Sequence, residues 1–483
     1  MMYSILLSLN LAIALISASD LPNHIRVSIP TNVPTIASGV IDHAYPGFAI
    51  AQHAFQDYAG NLSHPNIFSR NLINSVTEKT GTAVHIRVGG TSATPGGIPA
   101  GIKLGPAWFE GFASFPGVQW TYMAHLALNT SGAEANAVAE VKEALKYIGQ
   151  NLEALEVGNE VDLYPGRVRS ANYSVREYIH EWMNYTSAIN SQVLAAPVYA
   201  DHREPWLIAT TFEEGIDKNN NIKSASLHHY METGNLPTIT RQASFMNHTA
   251  IVNNLSYFSQ PVNWLKQHHP DIPVYLAETN SDTASTNDTD LIGVFGSALW
   301  LADYMLYGMT LNIRRMNIQL STGFDYTSWR PVEYFGAPPA VLPPYYAQVF
   351  VADVIGAPDD VRISNLDLGP DLLSAYTVFS ANSEKIAKAV LVNLEEWNTT
   401  TTYPSPSTQV QLLTPIKGLW RIEKLTAPGA ESLANITWAG TSWTYESNGL
   451  PIQVADTTEY VHSMKGVLDV RIRASEALLL TLC

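Results

Sequence analysis

The sequence predicts a (β/α)8 TIM barrel followed by an all-β sandwich domain. Three observations predict it. Eight short apolar runs alternate with amphipathic stretches over the first two thirds of the chain. Beyond Pro343-Pro344 the texture changes to short alternating strands broken by Gly, Pro, Ser and Asn. Carboxylates also stand where the fourth and seventh apolar runs give out, at Glu160 and Glu278, the place where such barrels carry their chemistry. A doubly wound open sheet is the alternative for the alternating region.

Residues 1–19 (MMYSILLSLNLAIALISAS) form an apolar run ending in small residues, the pattern of a signal peptide, although the usual basic n-region is missing. A buried helix or a membrane anchor is the alternative, but the run is short for a bilayer span. Residues 20–40 contain one strand-like segment, His24–Pro30, which precedes the barrel and is placed as a possible partner of the C-terminal sheet.

The barrel is assigned to residues 41–345. Its strand candidates are Phe48–Ala54, Ala83–Val88, Trp120–Leu128, Leu152–Val157, Val193–Val198, Ser224–His229, Val274–Ala277 and Ile313–Leu320. Helical periodicity separates them, as in Ala137–Asn151, Val175–Ile189 and Phe295–Tyr307. Residues 346–483 form the sandwich, with strands at Leu373–Ser380, Lys388–Leu394, Gln409–Leu413, Trp420–Thr426 and Ala477–Leu482. That domain reads as a brace for the barrel rather than as a carbohydrate-binding module.

Composition bounds the partners. The chain of 483 residues has 27 Lys+Arg against 43 Asp+Glu, a formal charge of −16. Such a field repels nucleic acid and anionic membranes, so neither is expected as a partner. The single cysteine, Cys483, allows no intrachain disulfide. Nine Asn-x-Ser/Thr sequons, at Asn61, Asn129, Asn172, Asn184, Asn247, Asn254, Asn287, Asn398 and Asn435, agree with an extracellular destination. Oligomeric state is not legible.

Glu160 follows the fourth strand and Glu278 the seventh, so the two face each other across the barrel mouth. Retaining glycosidases need such a pair: one carboxylic acid protonates the leaving oxygen while the opposite carboxylate attacks the anomeric carbon. A lone strand-end Glu is more often a solvated rim charge; two at matching ends, one preceded by Asn, point to catalysis. His228-His229, with His202, invite a metal reading. No second cluster at ligand spacing accompanies them, and the chemistry requires no metal and no cofactor. Trp108, Trp206 and Trp329 are candidates either for stacking on sugars or for the core.

The segments GNEVDLYP around Glu160, SLHHY at Ser226–Tyr230, VYLAETNS around Glu278 and HIRVGGTS at His85–Ser92 resemble glycoside hydrolase family 79, the β-glucuronidase and heparanase family. The resemblance is greatest to its secreted fungal members. It implies that Glu160 is the general acid/base, Glu278 the nucleophile, Asn159 a hydrogen-bond partner of the sugar 2-hydroxyl, and Tyr230 a support for the nucleophile. It further implies that backbone N–H groups of Thr283, Ala284 and Ser285, with Tyr326, bind the uronate carboxylate. The family's loop usually carries glycine there, and this one has none. The expected protein is a secreted retaining exo-β-glucuronidase acting on terminal glucuronate or its 4-O-methyl form. The alternatives are a neutral-sugar β-glycosidase of the same clan, a heparanase-like endo-enzyme, and an inactive glycan-binding protein.

Overall fold

Eight parallel strands close into a barrel in the computed structural model, which describes residues 23–90, 104–126, 132–234, 238–283 and 289–483; structural counts refer to those residues. A first strand, β1 (His24–Ser28), precedes it. The barrel strands are β2 (Pro46–Ala51), β3 (His85–Gly89), β4 (Gln119–Ala124), β5 (Leu152–Val157), β6 (Leu194–Tyr199), β7 (Ile222–Glu232), β8 (Val274–Asp282) and β9 (Arg315–Leu320). Each of the eight predicted runs lies on one of them. The last pairing, β2 with β9, closes the ring and removes the open-sheet alternative.

Two strands continue past their apolar runs. β8 goes on through Glu278, Thr279, Asn280, Ser281 and Asp282, all buried. Glu278 therefore lies within its strand rather than after it, and Tyr230 is likewise inside β7. Polar residues remain in register here because both faces supply partners: Glu278 accepts from Tyr230 within the barrel, and the Thr279 hydroxyl lies 2.7 Å from that of Tyr304 outside it.

Helices begin where side chains satisfy their first amides. Asn66 caps Ile67–Thr80 by accepting from the Ser69 amide at 3.0 Å. Ser174 and Glu177 form a reciprocal capping box on Val175–Ile189. The helix Phe295–Thr310 is apolar on nearly every side, as suits a helix wedged between barrel and sandwich. Pro344 opens a further helix, Pro344–Ile355, which packs against Phe295–Thr310 and Ile67–Thr80. Continuous β-structure starts only at Val361.

The C-terminal region holds a nine-stranded sheet and a three-stranded sheet, the latter made of β1, Ser407–Leu413 and Val467–Arg473. β1 runs parallel to Ser407–Leu413, with Ile25 opposite Val410. Strand alternation explains why the large sheet is apolar on both faces. In Ile386–Asn393, Ala389 and Leu391 enter the core between the sheets, whereas Val390 and Val392 enter the core shared with the barrel. The face that carries Val390 and Val392 is thus buried against the catalytic domain. Among the described residues, no helix is long and apolar enough to cross a membrane.

A buried polar cluster ties the two parts together. Asp303 accepts from His248 Nδ1 at 2.8 Å and from the Tyr376 hydroxyl at 2.6 Å. Burial alone would lower the His248 pKa, but the Asp303 charge outweighs it and the net shift is upward. A raised folded-state value stabilises the fold fully below the unfolded value of about 6.5, and the benefit fades as pH climbs through the raised value. The Asp303→Asn variant is therefore expected to melt below the parent in acid, with the gap narrowing as the solution turns alkaline. Thermal melts across that range check this; a gap independent of pH contradicts it.

Candidate active site

The site grows from one arginine in an otherwise apolar strand. β3 reads HIRVG, and its alternation sends Arg87 into the lumen, where it is fully buried. Its guanidinium donates from Nε to Glu156 Oε2 at 2.8 Å, from Nη1 to Glu278 Oε2 at 2.7 Å, and from Nη2 to Asn159 Oδ1 at 2.9 Å. Glu156, on β5, also accepts from the Ser226 hydroxyl of β7 at 2.7 Å. Arg87 thus spans three residues across two other strands, a role that needs the planar multi-donor fork.

Glu278 projects from β8 with little exposure. Its other oxygen, Oε1, accepts from the Tyr230 hydroxyl at 2.9 Å. Burial and the neighbouring Glu278 charge push the Tyr230 hydroxyl pKa well above its ordinary value, so Tyr230 stays protonated and donates. The Tyr326 ring lies 6.1 Å from that of Tyr230, buried in the loop after β9. Gly90 lies beside the carboxylate with a φ of +107°, a conformation that side-chain-bearing residues rarely adopt.

Glu160 sits just beyond β5 in left-handed geometry, φ 52° and ψ 51°. Its carboxylate is partly exposed and lies 3.0 Å from His228 Nδ1. Burial, reinforced by the Arg87 charge, lowers the His228 pKa to about 4, which leaves a neutral imidazole beside Glu160. One carboxylate oxygen from each of Glu160 and Glu278, with a His228 nitrogen, fall within 4.8 Å of one another. Three such groups can hold a cation in principle. Here the Arg87 guanidinium already supplies positive charge at Glu278, so a divalent ion would be opposed.

Two polar atoms at the floor of the site, Asn159 Nδ2 and His228 Nε2, are buried with no hydrogen-bond partner in the protein, and so is Gln319 Oε1 on β9. Buried donors and acceptors of this kind are normally satisfied. Because Arg87 occupies Asn159 Oδ1, the side chain's amide nitrogen is left as an unengaged donor. A cavity of about 710 Å³ opens from Glu160 between the Ala200–Arg203 loop, the end of β7 and Tyr257, with Thr283 on its wall. Glu278 does not line it.

Glu160, Glu278, Asn159, Tyr230 and Tyr326 are therefore brought together as the motifs suggested. The uronate-binding loop is only partly so. The Thr283 amide donates to the Glu232 carbonyl at 3.2 Å and is not free to bind an anion. Ala284, Ser285 and the sequon Asn287 lie outside the described residues, as do Thr91, Ser92, Asn129 and residues 1–22. Trp108, Trp206 and Trp329 are all buried core residues, which removes them as sugar platforms. The three histidines do not converge: the His202 ring nitrogen Nε2 accepts from the Ile208 amide, and His229 stacks on Tyr304. Arg87, Glu156 and Gln319 were not singled out from sequence. The signal available was a charged or amide residue at a lumen-facing position in each of three barrel strands.

Comparison with known proteins agrees with this geometry. Residues 375–479 match the model of the glycosyl hydrolase family 79 C-terminal beta domain. A β-glucuronidase of Aspergillus niger is 31% identical, the alignment covering 94% of either chain. One of Neurospora crassa is 27% identical, covering 92% of either chain. Among solved structures, a 4-O-α-L-rhamnosyl-β-D-glucuronidase of Fusarium oxysporum 12S has a TM-score of 0.80 at 20% identity, covering 95% of this chain and 100% of its own. A family 51 arabinofuranosidase of Xanthomonas axonopodis pv. citri has a TM-score of 0.62 at 14% identity, covering 95% and 99%. The two structural likenesses speak for the fold, and the two sequence relatives speak for the family. This chain is a glycoside hydrolase and belongs to glycosyl hydrolase family 79.

Proposed function

We propose that this protein is a secreted, retaining exo-β-glucuronidase. The observation that carries the mechanism is the approach of Glu160 and Glu278 oxygens to within 4.8 Å. That fits the carboxylate spacing of about 5–5.5 Å found in retaining enzymes, and not the roughly 6.5–9.5 Å that leaves room for an inverting water.

In the first step Glu278 attacks the anomeric carbon, and the bond from that carbon to the leaving oxygen breaks. Glu160 gives its proton to that oxygen. In the second step Glu160 takes a proton from water, whose oxygen bonds to the anomeric carbon and releases Glu278. Arg87 and Tyr230 hold the nucleophile in one orientation, and the Asn159 amide donates to the 2-hydroxyl, a contact that strengthens as charge develops at the anomeric carbon and ring oxygen.

Glucuronate as the cleaved sugar is supported by the names of both fungal relatives. The family resemblance assigns the carboxylate contact to Tyr326, which lies beside Tyr230, and the Thr283 amide is engaged elsewhere. An exo-enzyme on an otherwise neutral glycan is favoured over a heparanase-like one. The chain carries −16, and Arg203, the basic side chain lining the cavity, is ion-paired with Asp201. A sulfated polyanion would find little to hold it there. Secretion is supported by the apolar run 1–19 and by exposed sequon residues Asn172, Asn184 and Asn435; loss of mass on N-glycosidase treatment of the protein from its native host checks it.

The purified protein is expected to hydrolyse p-nitrophenyl β-glucuronide with a kcat/KM far above that for the β-glucoside. A preference for the glucoside would keep the catalytic pair and overturn the sugar.

A further inference from the structure

We propose that Asp162 is a positioning residue that fastens the Glu160 turn to the Ala200–Arg203 loop, and so fixes the proton donor relative to the wall on which the leaving group rests. The inference builds on Glu160 as acid/base.

Glu160 is not held by its strand. β5 ends at Val157, Gly158 takes a φ of +91°, and Glu160 itself is left-handed. A chain with two such turns in three residues needs outside support to keep one carboxylate aimed. Locally there is little: the Leu163 amide donates to the Glu160 carbonyl at 2.9 Å, and the Asn159 amide makes a long 3.4 Å contact with the Tyr164 hydroxyl. The Gly158 amide donates to the Ala124 carbonyl of β4 at 2.9 Å and Arg87 reaches the Asn159 side chain, but the contacts to the Ala200–Arg203 loop come from Asp162. Its Oδ1 accepts from the Ala200 amide at 2.8 Å and its Oδ2 from the Asp201 amide at 2.9 Å.

The arrangement is costly. Burial, with the Glu160 charge adding to it, pushes the Asp162 carboxyl up to about 7. An Asn would fit the same space without that cost, but it offers one acceptor and turns two hydrogens toward the second amide. Only a carboxylate accepts from both neighbouring N–H groups at once.

The clamped loop is part of the site. Ala200, Asp201, His202 and Arg203 line the cavity that Glu160 also lines and that Glu278 does not. It is therefore the side from which the departing group leaves, opposite the nucleophile. His228 holds the Glu160 side chain at 3.0 Å, while Asp162 holds its backbone against this wall. An acid displaced by even about 1 Å loses on the order of 100-fold in rate.

Loss of acid positioning has a signature that general destabilisation lacks. A poor leaving group needs the proton and a good one does not, and kcat/KM reports the glycosylation step alone. The Asp162→Asn variant, in the full chain, is expected to lose about 10- to 100-fold in kcat/KM for a methyl or disaccharide glucuronide. It is expected to stay within about threefold of the parent for 2,4-dinitrophenyl glucuronide, because no proton transfer is at stake. Asp162→Ser, which keeps one acceptor, should show the same split and serves if the Asn variant folds poorly. An equal loss on all three substrates, or none, overturns the role of Asp162. The Glu160→Ala control separates the two levels: if it lacks the leaving-group split, the acid/base assignment itself fails.

Discussion

Replacing Glu278 with Gln is expected to lower kcat/KM for p-nitrophenyl β-glucuronide by on the order of 10⁵-fold while leaving the fold intact. The amide keeps the shape of the carboxylate and can still accept from Arg87 or Tyr230, but it cannot form the ester that carries the sugar between the two steps. Arg87 retains Glu156 and Asn159 as partners at 2.8 and 2.9 Å, so its charge is not stranded. Steady-state rates and a thermal melt measured side by side check both halves. A variant that turns over like the parent would remove Glu278 as the nucleophile.

Arg87→Met is expected to damage both activity and stability. It removes three donors together and leaves Glu156 and Glu278 buried without a counter-charge. Breaking a buried ion pair from one side costs about 3–5 kcal/mol, enough to lower the melting temperature by many degrees. Activity should fall by roughly 10³-fold or more, since the nucleophile and Asn159 lose their shared anchor. Adding Glu156→Gln removes one stranded charge, so the double variant should regain part of the stability and none of the activity. Arg87→Lys keeps the charge but lacks the planar fork that reaches three acceptors; it should fold well and remain slow. Parallel melts and kinetics on the three variants test this. Recovery of activity together with stability in the double variant would mean that Arg87 serves the fold alone.

How far the site was legible in the sequence depended on whether a signal was local. Glu160 and Glu278 stood out because each ends an apolar run, and runs are read within a few residues. Arg87 did not, although its motif was in view, because its meaning lies in Glu278, 191 positions along the chain. Asp162 is similar: an acidic residue in a turn looks solvated until the Ala200 and Asp201 amides are found upon it. The end of β8 was hidden for a related reason. Hydrophobic periodicity stops at Ala277, while the strand continues on polar residues that are buried.

The Trp residues failed in the opposite direction. Trp329 is fully buried, its indole nitrogen donating to the Ser69 hydroxyl at 2.9 Å, and no sequence pattern separates such a core indole from a sugar platform. The double proline at 343–344 marked a real change in the chain, but Pro at the first turn of a helix starts structure as readily as it ends it. Phe295–Thr310 and Pro344–Ile355 are correspondingly apolar all round because each is covered on two sides.

The central claim is that sugar is carried through a covalent ester on Glu278. It is tested most directly by treating the protein with 2-deoxy-2-fluoro-β-glucuronyl fluoride, whose fluorine slows release of the intermediate, followed by intact mass measurement and peptide mapping. A single adduct on the peptide containing Glu278 is the expected result. Turnover of glucuronides with no adduct, or an adduct on Glu160 or elsewhere, would contradict the mechanism.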